Sequence, residues 1–541
     1  MSRDGSIDWC TIGRFDADPV FCRILDCTKG GYLAVAPVGS SFRSRAYLPG
    51  TNMLRSQAVT DAGALIVTDF MVVGRAPHAG VYDYVSLRAP GMLIRRIECV
   101  RGQVSIDAVY RPCVDFARRP ADLREEAGGH AADGAPMLYC DLALQSTGGA
   151  LQGRVQLREG DVRHIVVTGS AMPDWRERVE GYFATTRAFW EEWSGFCRYR
   201  GVHRDAVLRS ALALKLLTYA PTGAIVAAPT TSLPETLHGE RNWDYRFCWV
   251  RDASLTLYAL ASLGYRELGG RLSDDAMAML AGFVDTLSSK WEEPDLGIWE
   301  VRSVPRHFVH SKLMCWLAVD RAIRLCGARP GWTSLRTAME SDILAKGTDP
   351  DGALRRAYDD ASGDAALLLL PSMAFPGPPG LLPATMQKLE RELRDGDFVR
   401  RYVTEDGLDG REGSFLVCSF WLVDALLAVD REAEARSLFE HLVARSNDLG
   451  LYAEEIDAQT GAFLGNYPQA FTHLGLIASA INLQLRERYG SDIVRASYAA
   501  RAKRAVTATF GWRGMLASFL RTGRRPRLFS SKRSKLYDRQ T

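Results

Sequence analysis

Residues 241–260 read RNWDYRFCWVRDASLTLYAL, and this stretch joins two kinds of pattern. Its second half is an amphipathic helix start. Its first half crowds Trp243, Tyr245, Phe247 and Trp249 among Asp244, Arg246, Arg251 and Asp252. A buried helix needs the aromatics but not the charges, and an exposed helix needs the reverse. A carbohydrate pocket needs both, because a sugar ring has apolar C–H faces that lie on aromatic rings and a rim of hydroxyls that Arg and Asp can fix.

C-terminal to this stretch the apolar period is 3.6. Segments 204–219, 250–264, 275–290, 311–326, 333–345, 364–374, 385–396, 415–430, 432–446 and 468–488 are predicted helices separated by Gly, Pro and Asp loops. Consecutive helices without intervening strands suggest antiparallel pairs in a solenoid or a closed toroid, and the absence of a visible repeat favours the toroid. N-terminal to it, up to about residue 170, the pattern is that of strands. VSIDAVY (104–110) alternates Val104, Ile106, Ala108 and Tyr110 on one face, and ALIVTDFM and VRHIVVTG are short and β-branched. This region reads as an all-β sandwich, with 118–136 as a polar surface loop that has nothing to bury. Asp174 followed by WRERVEGYFATTRAFWEEW predicts an N-capped helix connecting the two regions.

Composition narrows the function classes. The chain has 541 residues, 47% hydrophobic and 24% charged, as an ordinary globular protein of two domains would. MSRDGSIDWC has no apolar stretch of the signal-peptide kind, and the eleven cysteines form no CxxC pair, so a cytoplasmic location with reduced thiols is expected. The nine histidines form no HExxH and no Cys/His cluster, so no metal site is expected. From Arg501 onward twelve Lys or Arg face one Asp, a tail of +11 on a body of −8. An acidic body argues against a nucleic-acid enzyme. The apolar-aromatic segment AVTATFGWRGMLASFL followed by RTGRRPRLFSSKRSKLYDRQ could lie on an anionic membrane surface, or be a final helix with a solvated end.

Three acidic motifs fall at helix ends or in loops: Arg251–Asp252, Glu300 after Trp299 in DLGIWEVRSVPRHFVHSK, and Glu454–Glu455 in GLYAEEIDAQTGAFLGNYPQAFTH. Two separated carboxylates beside aromatics are what glycoside hydrolysis requires. Glu412 and Glu455 are expected to be solvated. One of Trp243 and Trp249 can equally be a core residue, and His307 and Lys312 either line the pocket or cap a helix.

Six segments together carry a family resemblance: GSIDWCTIGRFDADPVF (5–21), APTTSLPE (228–235), RNWDYRFCWVRDAS (241–254), GIWEVR with PRHFVHSK (297–312), EGSFLVCSFWLVDAL (412–426) and YAEEIDAQTGAFLGNYPQAFTHLGLI (452–477). In this order they resemble the glucoamylase/trehalase family of inverting α-glycosidases in its bacterial two-domain form. The resemblance implies an N-terminal β-sandwich (1–172), a connecting helix (173–202), an (α/α)6 toroid (203–490) and a basic C-terminal extension (491–541). Twelve helices are then needed; the two missing ones are expected in 221–245 and 347–362. The resemblance also implies Glu300 as general acid, Glu454 as general base, and Arg251, Asp252, Trp249, Trp299 and Arg401 as substrate-binding residues, with Arg400 an alternative to Arg401. No cofactor is implied. The partner is a small α-glucoside, trehalose first, with a glucoamylase or oligosaccharide α-glucosidase as the alternative; a glycoside phosphorylase and a non-catalytic sugar-binding relative are the alternatives from other classes.

Overall fold

The computed structural model describes residues 1–505 except 81, 82, 84, 85, 266–272, 405, 409, 411 and 499. The suggested membrane-surface segment after Ala505 lies outside the described residues.

One strand organises the N-terminal region. Met92–Arg111 is 20 residues long and belongs to two antiparallel sheets. Its first half pairs with Gly63–Met71 and Val162–Thr168, and its second half with Tyr32–Pro37 and Leu151–Arg158. The two sheets close on one apolar core, with Leu65, Val67, Ile97 and Val167 meeting Leu33, Val35, Ile106 and Leu157. The predicted inward face of VSIDAVY is this core, since all four of its residues are buried.

The run ALIVTDFM does not alternate because both of its faces are covered. Leu65 and Val67 face the sheet–sheet core, while Phe70, with Ile94 and Val166 from neighbouring strands, faces the cluster built around helix α1 (Trp175–Ser194). Trp175, Val179, Phe189, Trp190 and Trp193 of α1 fill the space between the sheet and the helical region. Asp174 does precede this helix, but its side chain makes no cap bond and pairs instead with Arg178 one turn on. The segment 118–136 is not a bare loop. It contributes strands Arg124–Glu126 and Gly129–Ala132 to the sheet edge, and buries Ala121 and Ala132 against Val114; short alanine side chains gave too weak an apolar signal to reveal it.

The helices follow their predicted positions: α2 (Arg204–Leu216), α3 (Val250–Ser262), α4 (Asp274–Lys290), α5 (Val309–Cys326), α6 (Trp332–Lys346), a 3-10 turn Ala365–Leu369 running into α7 (Leu370–Met373), α8 (Leu381–Leu393), α9 (Leu416–Ala428), α10 (Glu432–Ala444) and α11 (Ala470–Tyr489). The two extra helices are not where they were expected. Segments 221–245 and 347–362 form turns and isolated bridges such as Thr231↔Asp244 and Thr348↔Leu354. Pro221, Gly223, Pro229 and Pro234 in one, and Gly347, Pro350 and Gly352 in the other, remove the donors and the rigidity a helix needs. A helical stretch does follow α11: residues 500–505 are helical, and buried Arg501 donates to Asn482 Oδ1 at 3.0 Å.

Helices alternate between two environments. α9 and α11 are buried nearly all round, whereas α4 buries only Ala281 and Val284. α11 packs on α9, α2 and α3, and α5 packs on α4 and α6. A helix that is apolar around its whole circumference must be interior, which places α9 and α11 inside and α4 outside.

Candidate active site

Four chain segments that enter the N-termini of α3, α5, α9 and α11 converge on one cavity of about 270 Å³. The first is a hairpin-like ladder. Ala227 and Ala228 N–H donate to Phe247 O and Tyr245 O (3.1 and 3.0 Å), and Ser232 N–H to Trp243 O (2.9 Å), so APTTSLPE runs antiparallel to RNWDYRFCW. The interleaving of aromatics and charges is thus largely the period of two of an extended chain. Trp243, Tyr245 and Trp249 line the cavity. Arg246 turns the other way, holds Asp244 through two bonds (2.9 and 2.8 Å), and donates to Phe15 O and Ala17 O of the sandwich region (3.3 and 2.7 Å). Neither Trp243 nor Trp249 is a core residue; both are half-buried.

At the start of α3, Arg251 Nε donates to Asp252 Oδ1 at 2.6 Å and Nη1 to Ile298 O at 2.9 Å. Asp252 is 1% exposed, and its Oδ2 has no hydrogen-bond partner among the described residues. Burial raises its proton affinity, Arg251 opposes this, and Glu300 adds to it.

The second segment presents Glu300. Asp295 Oδ1 accepts from Gly297 N–H and Ser311 Oγ (2.6 and 2.7 Å), tightening a turn in which Glu300 has φ 53°. A non-glycine residue held there is strained, and such strain concentrates where a side chain must be aimed. Glu300 is exposed to the cavity, and Trp249 Nε1 donates to its Oε1 at 3.2 Å. Trp299 also lines the cavity, with its indole N–H on Asp364 Oδ1 (2.9 Å).

The third and fourth segments form the floor. Ser414–Phe415, Glu455–Ile456 and Phe463–Leu464 make a small three-stranded sheet, and Leu416 N–H donates to Glu454 O. Glu454 lines the cavity, is 1% exposed, and has an Oε2 without a hydrogen-bond partner among the described residues. Arg401 is buried beneath it. Its Nε and Nη2 clamp Glu412 (2.9 and 2.6 Å), and Nη2 reaches Glu235 Oε2 (3.2 Å) and Glu455 Oε1 (3.5 Å). Arg241 bonds Asp406 and Glu412, and Tyr402 Oη donates to Asp406. Against burial, these bonds hold Asp406 at about 2. Burial and the Glu235 charge push Glu454 well above the usual carboxyl range, with Arg401 opposing, and Glu455 is raised by the same causes.

The cavity gathers Glu300, Glu454, Arg251, Asp252, Trp249, Trp299 and Arg401, all singled out from the sequence. Arg401, not Arg400, belongs here; Arg400 lies at the surface with Asp395. Glu412 and Glu455 are not solvated. Glu455 is buried and Glu412 part-buried, both as partners of Arg401, because two guanidinium groups drawn to a pocket need carboxylates that local sequence cannot identify. His307 and Lys312 do not line the cavity: His307 stacks on Tyr358, and Lys312 Nζ donates to Trp291 O and Glu293 O. The sequence reading missed Glu235, Arg241, Tyr245 and Asp406 as site residues. Glu235, Arg241 and Tyr245 lie inside the quoted motifs, but only the ladder brings those motifs side by side.

Residues 201–286 and 269–481 match the model of glycosyl hydrolases family 15. The chain belongs to that family. As a family 15 glycoside hydrolase it is 33% identical over 594 residues to the trehalase of Mycolicibacterium smegmatis, covering 89% of each chain. It is 30% identical to the trehalase of Thermoplasma volcanium, covering 90% of this chain and 91% of that one. The fold is that of a bacterial glucoamylase solved with acarbose, at TM-score 0.65 and 10% identity over 93% of both chains.

Proposed function

We propose that this family 15 hydrolase cleaves trehalose by single displacement with inversion, Glu300 serving as general acid and Glu454 as general base. The observation that carries the reading is that one cavity holds two carboxylates in unlike environments: Glu300 exposed on a strained turn, Glu454 buried with an unpartnered oxygen. A pair of carboxylates in one pocket is what glycoside hydrolysis requires, and the roles follow the family motifs, the Glu of WE as acid and the first Glu of AEE as base. Glu300 gives its proton to the glycosidic oxygen. Glu454 takes one from a water that attacks the anomeric carbon from the opposite face. Arg251 and Asp252 hold hydroxyls of the attacked glucose, and Trp249, Trp299 and Arg401 complete the pocket. Likeness over most of the chain to trehalases of two distant organisms supports trehalose over maltooligosaccharides.

The same reading divides the chain into a sandwich (1–172), a connecting helix (173–202), an (α/α)6 toroid (203–490) and a basic extension (491–541). Buried α9 and α11 beside exposed α4 support inner and outer rings. Eleven free cysteines suit a reducing cytoplasm.

Purified protein should hydrolyse trehalose faster than maltotriose; the reverse order makes it a glucoamylase-type enzyme. Inversion at the attacked carbon yields one β-glucose while the departing glucose keeps its α configuration. Early-time NMR should therefore show equal α and β anomers, and α alone overturns the mechanism. Glu300→Gln and Glu454→Gln should each lower turnover at least about a hundredfold with the fold retained; a variant near wild-type activity loses its assigned role.

A further inference from the structure

Glu235 ends the segment APTTSLPE and has no part in the chemistry described so far. It is 0% exposed. A carboxyl so placed is costly unless it is well paired; burial raises its proton affinity, while Arg401, Arg241 and the Trp243 indole favour its ionised form. Arg401 gives it one contact, Nη2 to Oε2 at 3.2 Å, while the two-pronged grip of that guanidinium is on Glu412. Its other oxygen, Oε1, lies 3.5 Å from the Tyr245 hydroxyl.

That hydroxyl also serves Glu454. A phenol has a single proton to donate, so two ionised carboxylates flanking it cannot both be satisfied. The backbone keeps them in this arrangement. Gly465 N–H donates to Pro234 O at 2.9 Å, and Gly465 is packed against the Glu454 side chain. Thr230 Oγ1 donates to Asn466 Oδ1 at 2.9 Å, and Glu454 N–H to Asn466 O at 3.2 Å. The strand carrying Glu235 is therefore stitched to the turn carrying Glu454.

We propose that Glu235 is a positioning residue for the base, holding Tyr245 and Arg401 in register with Glu454 and supplying a like charge that sets the pH at which Glu454 can accept a proton. The proposal rests on Glu454 being that base. Other charged groups around Glu454 are Arg401 from the segment before α9 and Glu455 beside it in the chain, and the same cavity is lined by Arg241, Asp244, Arg251, Asp252, Glu300, Arg302 and Asp406. Arg401 favours the ionised base, and the carboxylates oppose it.

The sign follows from the pair. Two coupled carboxyls lose their last proton at a higher pH than either would alone. Burial and Glu235 both raise Glu454, in line with the geometry. Removing the charge at 235 should make the base available at lower pH and weaken it as a proton acceptor.

The test is kcat/KM on trehalose against pH for the wild type, Glu235→Gln and Glu454→Gln. The acidic limb of this profile reports the base in the free enzyme. In Glu235→Gln it should move down by about one pH unit, and the maximum should fall about tenfold. Glu235→Ser, also neutral, provides the same reading should the Gln variant not accumulate as folded protein. A limb that superposes on the wild type while the maximum falls at every pH overturns the proposal, leaving Glu235 a merely structural residue. Glu454→Gln tests the underlying reading separately: if it retains activity, the base is wrongly assigned whatever Glu235 does.

Discussion

At the scale of single residues, environment decides role. Asp252 and Asp406 are both carboxylates of this cavity with a guanidinium partner, but Asp406 has bonds from Arg241 and Tyr402 as well as Leu408 N–H, whereas Asp252 keeps one oxygen unpartnered. An unpartnered buried carboxylate oxygen is available to a ligand hydroxyl and loses little in the empty protein when it is changed. Asp252→Asn should lower kcat/KM on trehalose by about 1–3 kcal/mol of transition-state binding, roughly 5- to 150-fold, with the thermal midpoint nearly unchanged. Steady-state kinetics beside a thermal melt check this; a collapsed midpoint with normal activity per folded molecule would make Asp252 structural. Glu412 and Glu455 teach the converse lesson. Their letters look like loop glutamates, but Arg401, eleven residues before Glu412 and from a different segment than Glu455, makes both partners of one guanidinium.

At the scale of elements, the turn between Glu455–Ile456 and Phe463–Leu464 aims the proposed base. Asp457 accepts from Gln459 and Thr460 N–H (2.8 and 3.0 Å) to close the DAQTG bend, and the returning strand brings Gly465 against Glu454. Gly465 has φ 74°, and a Cβ there would lie 2.6 Å from Glu454 Oε2. Gly465→Ala should thus displace the Glu454 carboxyl and lower kcat at least about tenfold, while the strained backbone costs about 1–2 kcal/mol. Unchanged kcat would show that this turn does not position the base. The helices were legible because their faces repeat every 3.6 residues. The ladder of 226–249 was not, since isolated bridges are too short to stand out from the helical segment that follows them.

At the scale of the whole molecule, α1 and α2 couple the two regions. Asn52 Nδ2 of the sandwich donates to Leu212 O at 2.9 Å, and Arg45 pairs with Asp448 (2.6 and 2.8 Å). His473 of α11 is fully buried, with Nδ1 at 2.9 Å from Ser210 Oγ of α2. Burial, aided by Arg209, lowers it from 6.5 to about 3. Between these values the unfolded chain binds a proton that the folded chain refuses, so this group's contribution is fully favourable above 6.5 and declines as pH falls toward 3. At pH 5 the loss is about 2 kcal/mol. His473→Gln, which removes the titration, should lose less stability than the wild type between pH 7 and pH 5 by about that amount in urea unfolding. Parallel losses in the two proteins would mean that His473 does not carry the effect.

By itself the sequence determined the order of the regions and ten helical segments, because these rest on periodicity, and it proposed the acid, base and sugar-binding candidates through the resemblance of six motifs taken in order. Tertiary structure alone decided which charges are drawn together at the pocket. Glu235, Arg241, Arg401, Asp406, Glu412 and Glu455 come from segments up to 220 residues apart, and a carboxylate's proton affinity depends on what packs around it in space. Desolvation and Coulomb coupling act through distance in the fold, which neighbouring letters do not encode.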